Sequence, residues 1–195
     1  MSAPRRFSQA ISEGDGISLI ARVADAGGAT QAEARGADAV LVSPDLPDGA
    51  AAIRAGTSLP IIVRWAANPP GDFAGVDACI VGVNSGREWL ERLYDESRED
   101  LEIAFWIDDE DHLESALEDF DPEIFVLAAP DLAGEEALER VLDLLPDVPA
   151  GKLAIAELPG SDLEDVAALE RAGFDGVIVD PHRVAELAAA EPPEV

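Results

Sequence analysis

Four residues at or beside the carboxyl ends of apolar runs have side chains that can do chemistry. They are Arg22 in GISLIAR, Arg64 in LPIIVRW, Trp106 in LEIAFWI and Glu157 in KLAIAEL. Guanidinium groups are permanent cations with a planar fork of N–H donors, suited to clamping a carboxylate or phosphate. A glutamate can move a proton or neutralise a cation. A tryptophan supplies an apolar or cation–π wall. Side chains alternate along a strand, and that parity sends all four toward one mouth. Two arrangements follow. In one, Glu157 bridges the two arginines under the Trp106 ring as an ion-paired plug. In the other, the arginines clamp a small carboxylate or other anion against Trp106.

The elements that must position these residues are regular. GADAVLV from Gly36, GVDACIV from Gly75 and GFDGVIV from Gly173 form an internal repeat, with a weaker copy, FDPEIFVL, from Phe120. Glycine suits the left-handed position that ends a helix, and the apolar residues after it suit a strand buried on both faces. With the four runs above, these make eight short strands. Helical patterns alternate with them at 29–35, 50–55, 86–99, 110–120, 135–145, 163–172 and 181–190. Trp89, Leu90, Leu93 and Tyr94 mark one apolar stripe, and Leu138, Val141, Leu142 and Leu145 another. ANPPGDFAG, after the third strand, reads as a loop or a single turn. Eight alternating units predict a compact (β/α)8 TIM barrel spanning residues 1–195 as one domain. A short helix over 6–13 is placed to plug its floor. A doubly wound open sheet is the other candidate, but the GxGxxG turn it would want after the first strand is absent.

Composition narrows the partners. Asp and Glu number 41 against 13 Lys and Arg, a net charge of −28, which disfavours nucleic acid and anionic lipid. The acids are spread over helix faces, as in DDEDHLESALEDF, the pattern of a solvated surface. Such a composition suits a protein working in molar salt; an acidic docking face for a basic partner is the rival reading. No apolar run reaches the roughly 18 residues of a membrane span. The first residues carry two arginines but no apolar signal core, so a cytoplasmic location is expected. The single cysteine, Cys79, lies in an apolar run and is expected to be a small buried hydrophobe.

RFSQAISEGDGISLIARV, GADAVLV, LPIIVRW, the DDEDHLESAL helix and IAELPGSDLEDVAALERAGFDGVIV together resemble the indole-3-glycerol phosphate synthase family. These are barrel lyases of tryptophan biosynthesis. The likeness covers nearly the whole chain and implies the same fold. Carried over position by position, it implies a changed site. The family's first-strand glutamate falls on Arg22, and its following lysine on Ala24. The general-acid lysine of the third strand falls on Arg64. The fifth-strand glutamate falls on Trp106, and the sixth-strand asparagine on Ala128. Glu157 alone is retained. Leu158 and Pro159 replace a serine and glycine, with Gly160 nearby, and Asp180 replaces the last glycine of the phosphate cradle. At a few Å and an effective dielectric of about 20, Asp180 would repel a phosphate charge by on the order of 4 kcal/mol before screening.

The resemblance therefore implies a repurposed or inactive homologue that binds a small anion or a protein partner. The alternative is a lyase working through a rearranged site of Glu157, Arg64 and Asp45. Candidate catalytic residues are Glu157 and Arg64; candidate ligand-binding residues are Arg22, Trp106, Asp45, Asp180 and Gly160. No cofactor or metal is expected. Asp108, Asp109, Asp180 and His182 have the oxygen and nitrogen ligands for a divalent ion, but helix capping is the simpler reading of the acids, and His112 and His182 read as plain surface positions. Asn84, Ser85 and Gly86 similarly read as a helix cap ahead of an anion site.

Overall fold

The structure is a computed structural model that describes residues 5–14, 16–43, 49–65, 75–85, 88, 90, 91, 93 and 101–189. Eight parallel strands pair in sequence order and close on themselves: β1 (Ser18–Val23), β2 (Ala39–Val42), β3 (Ile61–Arg64), β4 (Ala78–Gly82), β5 (Glu102–Ile107), β6 (Ile124–Ala128), β7 (Leu153–Glu157) and β8 (Gly176–Val179). The helices outside them are α2 (Ala26–Ala34), α3 (Gly49–Arg54), α4 (Glu110–Asp119), α5 (Glu135–Leu144), α6 (Leu163–Ala172) and α7 (Val184–Ala188), while α1 (Arg6–Ser12) precedes β1. The fold is the expected (β/α)8 barrel. Residues 88, 90, 91 and 93 are helical within the expected 86–99 segment. Trp89, Tyr94 and most of ANPPGDFAG lie outside the described residues. No described helix is long and apolar enough to cross a membrane.

Some boundaries differ from the sequence reading for local reasons. α2 starts at Ala26 because the Asp25 carboxylate caps it, accepting from Gly28 N at 2.7 Å, and the helix runs through Gly27 and Gly28. The buried face of α5 is Ala137, Val141 and Leu144, with Leu138, Leu142 and Leu145 only partly buried. α7 begins three residues after the expected Pro181, beyond a turn in which Arg183 N donates to Asp180 O at 3.0 Å.

The repeat has a structural meaning that its residues alone did not disclose. Gly36, Gly75 and Gly173 all adopt positive φ (95°, 81° and 101°), and in the weaker copy Asp121 takes that role at φ 45°. Two residues after each glycine comes an aspartate that grips one residue of the preceding strand twice. Asp38 N donates to Leu19 O at 2.9 Å, while the Asp38 carboxylate accepts Leu19 N at 2.8 Å. Asp77 does the same with Ile61, and Asp175 with Ala154. Each aspartate thus fastens an even strand to the odd strand before it, at the floor of the barrel. Burial pushes the Asp38 and Asp175 carboxyls up from the ordinary range, although each accepts a backbone N–H.

Strand register sorts the interior into layers of four, each drawn from alternate strands. Ile20, Ile62, Ala104 and Ile155 of the odd strands form one layer. Leu41, Ile80, Val126 and Ile178 of the even strands form the next layer up. Below, Ala39, Ala78 and Gly176 leave room at the floor, and α1 fills it with Phe7 (0% exposed) and Ile11 (3%). A Cβ on Gly176 would lie 3.6 Å from Ile11 Cγ2. The α1 amides of Phe7 and Ser8 are taken up by the Glu102 carboxylate at the foot of β5. Cys79 is wholly buried on β4, which pushes its thiol up to about 12 and keeps it protonated. Phe7→Ala should open the floor and destabilise the barrel by about 3–5 kcal/mol, read as a lower urea midpoint without a change in the top-face chemistry.

Candidate functional site

The layer above Leu41, Ile80, Val126 and Ile178 comes from the four odd strands and is Arg22, Arg64, Trp106 and Glu157. These are the four residues singled out from the sequence, and the barrel brings all of them together. Glu157, 8% exposed, is the hub. Its Oε1 accepts Arg22 Nη2 at 2.7 Å, and its Oε2 accepts both Arg64 Nη2 and Trp106 Nε1, the latter at 2.8 Å. Arg64 Cζ lies 5.8 Å from the Trp106 ring centroid. The ion-paired arrangement anticipated from the sequence is therefore present. Burial alone would push the Glu157 carboxyl up, but the Arg64 and Arg22 guanidiniums and the indole N–H outweigh it and hold the group below the ordinary glutamate range.

The plug does not fill the mouth. A cavity of about 450 Å³ opens over it, with Arg22, Arg64, Trp106 and Glu157 at its base. Each arginine spends a single N–H on Glu157, and their side chains remain 41% and 33% exposed. Ala128, Pro130, Leu158, Pro159, Ile178 and Val179 supply apolar wall. Gly160, at φ 70°, lines it from the loop after β7, and Asp180 from the loop after β8. Asp45 lies outside the described residues.

One lining residue escaped the sequence reading. Arg183 joins the cavity from the turn after β8. Its buried Nε lies 3.2 Å from Glu186 Oε2, yet the angle makes no hydrogen bond, so the N–H has no hydrogen-bond partner among the described residues. The sequence shows only a cation three residues beyond Asp180, in the loop that follows the last strand, and does not say which way it turns.

The other candidates sort differently. His182 is exposed and is not in the cluster of possible metal-ligand atoms found among the described residues. His112, expected at the surface, is half-buried: Asn84 Nδ2 meets its Nε2 at 2.8 Å, and its Nδ1 lies 2.5 Å from Asp108 Oδ1. Asp109 caps α4 by accepting His112 N at 2.7 Å. Ligand atoms of Asp108, Asp109 and His112 come within 4.8 Å of one another, but each group has a protein partner that accounts for its place. Asn84 joins this network from a single turn of 3₁₀ helix, Val83–Ser85, and Gly86 lies outside the described residues. Lys152 is at the foot of β7, held by Asp121 and Glu123 and remote from the mouth in the strand direction.

A depressed acid favours its charged form in the fold. The stability Glu157 contributes is present above the ordinary glutamate range and is lost as pH falls through its lower folded value. Glu157→Gln imitates the protonated acid. The wild-type protein should exceed it in stability by about 2 kcal/mol at neutral pH, and thermal unfolding curves of the two should converge as pH drops below the glutamate range. No family model matches the chain, and no curated protein matches it; the closed (β/α)8 barrel is shown as an architecture.

Proposed function

We propose that this barrel is a repurposed relative of indole-3-glycerol phosphate synthase whose mouth binds a small organic anion and no longer closes an indole ring. The observation that carries this reading is the division of labour in the upper layer. Glu157 is committed to Arg22, Arg64 and Trp106, while both guanidiniums keep N–H donors at the cavity that no other described residue takes up. Ring closure with loss of carbon dioxide and water needs one group that gives a proton and one that takes it. Arginine stays protonated, and Trp106 and Ala128 do not titrate. A glutamate held ionised by two cations is a weak base and a poor acid, which weighs against the lyase reading built on Glu157, Arg64 and Asp45. An anion, by contrast, needs only the donors that the layer leaves exposed.

The acidic surface fits a protein that works in concentrated salt, where counterions screen its net charge of −28. The far-UV circular dichroism signal should then fall as salt is lowered from molar to about 0.1 M, as repulsion among the acids grows. A trace unchanged across that range removes the halophilic reading.

Turnover is tested with the family substrate, carboxyphenylamino deoxyribulose phosphate, in molar potassium chloride, following indole fluorescence. No product from folded protein is expected. Product formation that Glu157→Gln abolishes would establish the lyase instead.

A further inference from the structure

The anion reading leaves the class of anion to be named, and the charges of the described residues around the mouth point to it. Arg22 and Arg64 bring two positive charges to the upper layer, and Glu157 removes one. Arg183 has its own counter-charge in Glu186. Asp180 adds a negative charge at the rim. A monoanion neutralises the base of the cavity. A dianion leaves surplus negative charge in a cavity that Asp180 also lines.

The donors and the walls agree with this. Arg22 and Arg64 rise from β1 and β3 and present the N–H edges that Glu157 does not use. Two such edges suit a planar carboxylate. The β7 and β8 loops bring Gly160, Ser161 and Arg183 to the lining, but they interrupt their own run of donors and set Asp180 beside them. Pro159 and Pro181 have no N–H to give, and the five residues of α7 make too short a helix for an anion site. The same cavity is lined by the Trp106 ring and the apolar side chains of Pro130, Leu158 and Ile178. The cavity falls within the small-molecule range of about 300–1,000 Å³.

We propose, resting on the anion reading above, that the mouth takes an apolar monocarboxylate, its carboxylate on the free edges of Arg22 and Arg64 and its body against Trp106. Glu157 is the specificity-determining residue, because its single negative charge sets the preference for one charge over two. It acts as a resident carboxylate that occupies the inner edges of both arginines and leaves the outer edges to the ligand.

The test is titration calorimetry on the full chain at fixed salt, with three probes that share one body: hexanoate, hexanamide and hexyl phosphate. At about pH 8 the phosphate ester is a dianion. Hexanoate should bind at least about tenfold more tightly than either of the others. Glu157→Gln raises the charge of the layer by one and should reverse the order of hexanoate and hexyl phosphate. If that variant does not fold, Arg22→Gln serves. Arg22 is the more exposed arginine, and its loss should weaken hexanoate about tenfold while leaving hexanamide unchanged. Hexyl phosphate binding as tightly as hexanoate to the wild type would overturn the monocarboxylate and leave the anion site standing. Hexanamide equal to hexanoate, or no binding of either anion, would overturn both. An unchanged order in folded Glu157→Gln would overturn the role given to that residue.

Discussion

A closed eight-stranded barrel must fill its interior with four side chains per layer, and the uppermost layer is where filling meets water. In this chain that layer is one carboxylate holding two guanidiniums and an indole N–H. Two arginines alone at the end of the barrel would repel each other across a half-desolvated space. Glu157 makes them compatible, and their fork geometry lets a single carboxylate satisfy both through different oxygens. The layer thus closes the apolar core beneath it and leaves a net positive charge on a molecule whose surface is overwhelmingly acidic. Long-range repulsion of anions and local attraction at the mouth then act in opposite directions, and salt weakens the first more than the second because surface charges are screened more than partly buried ones.

The opposite end of the barrel solves a different problem with different chemistry. Ala39, Ala78 and Gly176 are too small to close the floor, and α1 does so with Phe7 and Ile11. Around the same rim, Asp38, Asp77 and Asp175 pair with backbone groups of the strands that precede them. These carboxylates consume N–H groups at strand starts that would otherwise be left without acceptors. Acids used in this way are structural parts of the barrel, so the excess of Asp and Glu is only partly a surface property. Charge at the floor is committed to the backbone, whereas charge at the mouth retains unspent donors. That asymmetry is why the proposed anion binding is assigned to the carboxyl ends of the strands.

The repeat and the apolar runs made the barrel legible before any coordinates, because a parallel strand buried on both faces must be a short continuous apolar segment, and eight of them separated by helices have few ways to pack. Strand parity likewise placed Arg22, Arg64, Trp106 and Glu157 toward one mouth, since alternation along a strand is local geometry. Local sequence could not separate an ion-paired plug from an open anion pocket. Both need the same residues, and the choice depends on distances between strands far apart in the chain. The barrel contains elements of both, because Glu157 takes one N–H from each arginine and leaves the others at a cavity.

What the sequence determined by itself was therefore the class of fold and the residues of the upper layer. Tertiary structure alone decided that the repeat aspartates are backbone clasps, that His112 belongs to a network with Asp108 and Asn84, and that Arg183 joins the cavity wall. The physical reason is common to all three. Hydrophobic periodicity is written along the chain, but a polar side chain takes its role from the partner it meets, and these partners are supplied by neighbouring strands or by turns at the ends of the strands.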